Sequence, residues 1–177
     1  SRKFMDMTKD NYFIGHEAGQ KTIEGFYNSF MGYQSGYNNI SGSNNSFIGY
    51  RTGYNNLIGE ANTFIGYESG FSNTIGNNNT FVGNLSGYSN TSGEYNSFFG
   101  YMSGNLNTSG FKNTFIGSYT GASNTTGYQN SFIGFLAGFS NGGGYRNTFV
   151  GQESGYSNIG GYRNTFIGAE SGRANTQ

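Results

Sequence analysis

The chain of 177 residues has no cysteine, no proline and no tryptophan, and only 10% of its residues are charged. The missing cysteine excludes disulfides and thiolate metal centres. Lys plus Arg balance Asp plus Glu at nine each. A neutral chain offers no electrostatic footprint for nucleic acid or for an anionic membrane. No apolar run approaches the length of a membrane-spanning helix, so no membrane insertion is predicted for this segment. No secretory leader is visible. The sequence starts at Ser1 and stops partway through a repeat at Gln177, and is expected to be a segment of something longer.

What is present is glycine, 32 residues of it, with many Asn and Ser and 18% aromatics. Gly, Asn and Ser in such amounts would suit disorder, but they fall in strict order. Asn recurs every 17 residues from Asn11 to Asn164, and Phe follows each of them by two. That row is Phe13, Phe30, Phe47, Phe64, Phe81, Phe98, Phe115, Phe132, Phe149 and Phe166. Gly rows run from Gly15 to Gly168, from Gly19 to Gly172 and from Gly25 to Gly161. A second Asn row runs from Asn39 to Asn175, with Thr22 in its first place. A low-complexity tract would not hold Phe at one phase over ten units.

A unit this short cannot hold two packed helices, and its glycine opposes helix. It suits one coil of an all-β parallel β-solenoid. The N-T-F-I-G stretch is the expected first strand, the following S-G pair a corner, and the Y-S-N-T stretch a second strand. Coils stacked about 4.8 Å apart give a rod of roughly 45–50 Å. Stacking makes an aromatic ladder of the Phe row and amide ladders of the Asn rows, whose side chains are expected to satisfy turn backbone. Residues 1–10 lack the motif and are charged, so a cap or joining segment is predicted there, with the solenoid over 11–177.

Phe is always followed by a second large apolar residue, and neighbours on a strand face opposite ways. The second row is Ile14, Met31, Ile48, Ile65, Val82, Phe99, Ile116, Ile133, Val150 and Ile167. A thin coil interior takes one row. The expectation is Phe inside and the Ile row forming an interface with one or two further copies, with the reverse assignment of the two rows also open. A wider coil, bent so that both rows reach one interior, is the alternative. Ten such side chains at about 30 Å² each approach the patch size that marks an interaction site.

Repeats such as Thr63-Phe64-Ile65-Gly66, with Ser69 and Gly76 after them, resemble the YadA-like head repeats of trimeric autotransporter adhesins. The resemblance covers Asn11 to Gln177, and similar repeats occur in phage tail fibres and bacterial surface proteins. It implies a left-handed β-roll, three rolls packed about an axis, and a role at the cell surface in binding host matrix or other cells. The family unit is shorter and often carries Ala where this chain has Phe.

Nothing in the sequence points to catalysis, a cofactor or a metal. His16 is the one histidine and has no triad partner at a usable spacing. Glu153 and Glu170 share a row in adjacent coils, about 5 Å apart by strand spacing, as a retaining glycosidase pair would be. On a solenoid any two stacked carboxylates have that spacing. The aromatic rows outside the core are more informative. Tyr33, Tyr50 and Tyr67 share one row; Tyr37, Tyr54, Phe71 and Tyr88 share another; Tyr128, Tyr145 and Tyr162 share a third, beside Arg146 and Arg163. Of these, Tyr37, Tyr54, Tyr88, Tyr128, Tyr145 and Tyr162 are candidate surface-binding residues, able to stack on glycans or on a protein surface. Asn-x-Ser/Thr sequons stand at Asn39, Asn44, Asn78, Asn84, Asn90, Asn107 and Asn124.

The sequence therefore predicts a non-catalytic, extracellular or cell-surface fibre segment that self-associates as a homo-oligomer, a trimer or a filament, and binds carbohydrate or protein surfaces. An extracellular filament built by end-to-end stacking is the alternative. An ice-binding solenoid is a third reading, weakened because its Ser/Thr rows are mixed or interrupted.

Overall fold

The computed structural model describes residues 5–7 and 10–177. It is one eleven-stranded sheet in sequence order. Strand β1 (Met5–Met7) lies antiparallel to β2 (Asn11–Ile14). From β2 onward the strands are parallel: β3 (Asn28–Met31), then three-residue strands from β4 (Ser46–Ile48) to β11 (Thr165–Ile167). Every parallel pairing joins residues 17 apart, Phe30 to Phe47 and Ile48 to Ile65 for example. The chain is a ten-coil parallel β-solenoid. Residues 5–7 cover the edge of the first coil; the rest of the predicted 1–10 segment, apart from Asp10, lies outside the described residues.

The interior is one file of rings. Phe30 through Phe149 are at most 1% exposed. Neighbouring Phe rings stack with centroids 4.6 to 5.1 Å apart and planes within 15° of parallel. That separation is the coil repeat itself, so each ring covers the face of the next.

Each coil holds one strand, not two. The Y-S-N-T segment is turn, because Gly36 sits at φ +58° and the Asn39 N–H donates back to the Gly36 carbonyl at 3.0 Å. Other N–H groups there donate to the next coil, Gly36 to Thr52 and Asn38 to Tyr54, at 2.9 Å each. The backbone is thus bonded coil to coil without the two-way exchange of a strand ladder.

From Asn28 to Asn158 both Asn rows are buried, and their amides are used. In the first, the Asn45 side-chain amide donates to Gly59 O at 2.8 Å, and its Oδ1 accepts the Asn62 N–H at 3.0 Å. In the second, Asn73 Nδ2 donates to Asn56 Oδ1 at 2.7 Å and to Gly76 O at 3.0 Å, and Asn73 Oδ1 accepts from Asn90 at 2.8 Å. One glycine carbonyl per coil receives both rows: Gly42 O takes Asn28 at 2.9 Å and Asn39 at 3.0 Å. The same carbonyl explains why the preceding coil has Gly25 there, since a Cβ on Gly25 would lie 2.3 Å from Gly42 O.

Two outcomes follow. Gly87 has φ +58°, and a Cβ there would meet the Phe81 ring at 2.5 Å. Gly87→Ala should destabilise by about 2–4 kcal/mol, from left-handed strain plus overpacking. Gly143 has no such φ, and a Cβ would find only Thr126 Oγ1 at 3.5 Å; Gly143→Ala should leave the thermal midpoint nearly unchanged. Equal midpoints for the two variants would contradict the packing described. Asn73→Asp removes a donor that faces two acceptors and buries a carboxyl. Burial and the missing donor raise the folded-state pKa of that carboxyl above its unfolded value, so the variant's stability is retained at low pH and lost as pH rises through the folded pKa. Denaturant midpoints at pH 4 and pH 7 check this.

Candidate functional site

The strand puts the Ile row outside because it neighbours the buried Phe row. Met31, Ile48, Ile65, Phe99, Ile116, Ile133 and Ile167 are 37–71% exposed, while Ile14, Val82 and Val150 are half-buried. Two residues before each of them from Met31 onward lies a Ser or Thr, from Ser29 to Thr165, on the same outer face; Tyr12 takes that place before Ile14. The result is a flat apolar stripe edged by hydroxyls along the length of the rod. The bent coil that would have taken both rows inside is not formed.

The first corner, around Gly15 and its equivalents, carries two aromatic rows. His16, Tyr33, Tyr50 and Tyr67 stack with centroids 5.2 Å apart. Tyr37, Tyr54, Phe71 and Tyr88 stack at 5.1–5.3 Å. At the second corner, between Gly25 and Asn28 and at equivalent places, Phe111, Tyr128, Tyr145 and Tyr162 stack at 4.9–5.2 Å. A sugar stacks on a ring face, and inside the rows these faces are taken. Tyr54, Tyr128 and Tyr145 have a ring on both sides, and Tyr37 has Tyr54 on one side and the Lys21 ammonium 5.1 Å from its centroid. Tyr88 and Tyr162 each have a stacked ring on one side. What the rows offer outward is ring edges and phenol hydroxyls.

Charge at the first corner is neutralised locally. Arg51 lies over the Tyr54 and Phe71 rings at 4.5 and 4.8 Å and reaches Glu68 Oε1 at 3.4 Å. Its Nε is buried with no hydrogen-bond partner, and the contact of the guanidinium with the side of the Tyr54–Phe71 stack offsets part of that loss. Arg173 donates to Glu153 at 2.6 Å and lies over Tyr156. The hydrogen bond from Arg173 holds the Glu153 carboxyl below the ordinary carboxylate range, against a smaller opposing effect of burial. The Tyr119 phenol is pushed up, chiefly by its hydrogen bond with Tyr101.

The residues that might have done chemistry are placed otherwise. His16 stacks on Tyr33 with Nε2 3.5 Å from Glu17. Glu153, one of the stacked carboxylates, is engaged by Arg173. Among the described residues no three of His, Cys, Asp and Glu come together as a metal site. Of the sequons, Asn39, Asn90, Asn107 and Asn124 are buried with their amides in the ladder, whereas Asn44, Asn78 and Asn84 are exposed.

A further feature was not singled out from the sequence. The second corner forms an open groove whose lining includes Ile58, Glu60, Ile75, Asn77, Glu94 and Tyr95. Continued along the rod, the same corner carries Lys112, Arg146 and Arg163. Reading charge order along single rows would have found it.

The fold and these surfaces define a β-solenoid repeat protein with one exposed apolar face. No family model, curated protein sequence or solved structure matches the chain.

The Arg51 arrangement is testable. Arg51→Ala should cost about 1 kcal/mol, from lost stacking and the uncovered Tyr54 and Phe71 rings, and lower the thermal midpoint by roughly 2–4 °C. Arg51→Lys should recover only part of that, because a compact ammonium cannot reach both rings and Glu68 at once as the planar guanidinium does. Full recovery by Lys would reduce the contact to simple charge pairing with Glu68.

Proposed function

We propose that the chain is a non-catalytic structural segment of an extracellular or cell-surface fibre, whose solenoid rods associate side by side along their strand faces. One observation carries this reading. The Ile row is held rigidly in register and half-exposed, from Met31 at 48% to Ile133 at 43% and Ile167 at 71%. A continuous apolar stripe of that length is a surface made to be covered. The strip of sheet is about 45 Å long, and with its flanking rows about 20 Å wide. That makes roughly 900 Å², near the 800 Å² per partner of a stable association. The likeness of the repeats to YadA-like heads of trimeric adhesins supports the same setting. In that setting, the ring edges and hydroxyls of Tyr37, Tyr54, Tyr88, Tyr128, Tyr145 and Tyr162 are contact points for protein or glycan surfaces.

A second reading has one observation in its favour: the outer strand face sets a Ser/Thr row beside an Ile/Val row at coil spacing, a regular array of the kind that could order water for ice binding. Thermal hysteresis of the purified chain tests it, and its absence removes it.

For the fibre reading, light scattering of the purified chain should give a mass at or above twice the 19.2 kDa of one chain. Ile65→Lys with Ile116→Lys, both at exposed positions, should return it to a monomer with little change in thermal midpoint. A wild-type monomer at high concentration would overturn side-by-side association.

A further inference from the structure

The charges of the second corner are sorted by sign along the rod. From Gly25 and its equivalents to the following strand, and in the residue just before each glycine, the acidic residues from Glu24 onward are Glu24, Glu60 and Glu94. The basic ones are Lys112, Arg146 and Arg163. All the acids precede all the bases, so the corner is negative over one half of the rod and positive over the other. Among the described residues none of the six is in an ion pair; Glu94 accepts from Asn77 at 3.0 Å and Arg146 donates to Gln129 at 3.0 Å. At the first corner, by contrast, Arg51 is committed to Glu68, and Glu153 to Arg173.

The corner leads directly into the strand whose outer face carries the apolar stripe, so its charges border that stripe. When two copies pack strand face to strand face, the direction of the partner decides what these charges meet. A parallel partner sets the second corner of one copy against the first corner of the other at the same level, where Arg51 is already paired with Glu68 and Glu153 with Arg173. An antiparallel partner sets second corner against second corner with the halves reversed. Glu94 of each copy then meets Lys112 of the other, and Glu60 meets Arg146. Both pairs are centred on the level of Ser103. Phe99, the sole aromatic ring in the Ile row, is 39% exposed and lies at that level, within the same coil. An aromatic anchor at the centre with charge at the rim is the usual anatomy of a specific interface.

We propose that the occupant of the strand face is a second copy of this chain in antiparallel orientation, related by a two-fold axis at the level of Ser103, with the charges of the second corner setting direction and register. This rests on the side-by-side reading above and makes it specific. Rim charges fix orientation more than they add affinity, and an isologous pair closes on itself instead of growing.

The absence of cysteine makes orientation directly measurable. Asn78 and Gln129 are exposed at the second corner and equidistant from the two-fold level. The variants Asn78→Cys and Gln129→Cys, mixed and treated with a short bismaleimide, should give mainly the crosslink between the two different variants. An associated chain that gives almost no crosslink overturns the antiparallel arrangement, since a parallel partner puts the two second corners on opposite borders of the stripe, and a predominance of Asn78→Cys linked to its own kind overturns the register at Ser103. A chain that stays monomeric without crosslinker overturns association itself, so the two failures are distinguishable. In a second measurement, Glu94→Lys should weaken the pair roughly tenfold at low salt, and adding Lys112→Glu in the same chain should restore it. Equal weakening by both changes together would again overturn the proposal.

Discussion

One carbonyl group per coil sets the terms for the rest of the rod. The oxygen of Gly42, like its equivalents, accepts both buried amide rows, from Asn28 and from Asn39. It also stands where any side chain on Gly25 would have to go. Two Asn and two Gly in successive coils are therefore one requirement. Burying an amide without partners is costly, and here each amide is used in the same way coil after coil. With the amides fixed, the Phe file has a fixed wall to pack against, and its ring separation is the coil repeat.

The alternating exposure of the strands follows from this. A thin interior filled by one ring per coil has no room for a second apolar row, so the residue after each Phe is turned outward. In Ser46–Ile48 and Thr63–Ile65 the middle residue is buried and the third exposed. The protein thus builds a soluble-looking corner, rich in Ser, Asn and Tyr, around an interior that leaves one face apolar. Local neutralisation at the first corner and charge sorted by sign at the second give the two sides of that face different characters.

The solenoid, its period and its stacked rows were legible in the sequence because identical residues recur at one phase, and stacking identical residues is what a short coil does. The second strand was not. Y-S-N-T looks extended, but Gly36 adopts φ +58° and Asn39 closes a turn onto it, a pairing that spacing alone does not reveal. Nor were two left-handed positions per coil visible, since Glu17, Leu85, Met102 and Tyr27 occupy them without the Gly or Asn that usually signals such a φ. The aromatic rows were found, but row membership does not say that the rings lie face to face. Only the stacking of Tyr54 between Tyr37 and Phe71 shows that the faces are taken. The sorted charges of the second corner were readable in principle, and became meaningful once Ile58, Glu60 and Tyr95 were seen to border one groove.

The unbroken spacing of 17 has a consequence at the level of heredity. Each residue's main neighbour is its own counterpart in the adjoining coil, so losing or duplicating one whole coil leaves every remaining row aligned and changes only the length of the rod. Losing a single codon shifts all following rows by one place, setting Phe against Ser and Gly against Asn. Variation in such a gene is quantised: recombination between repeats can lengthen or shorten the rod in steps of one coil, while small frameshift-free deletions inside a coil are removed by selection.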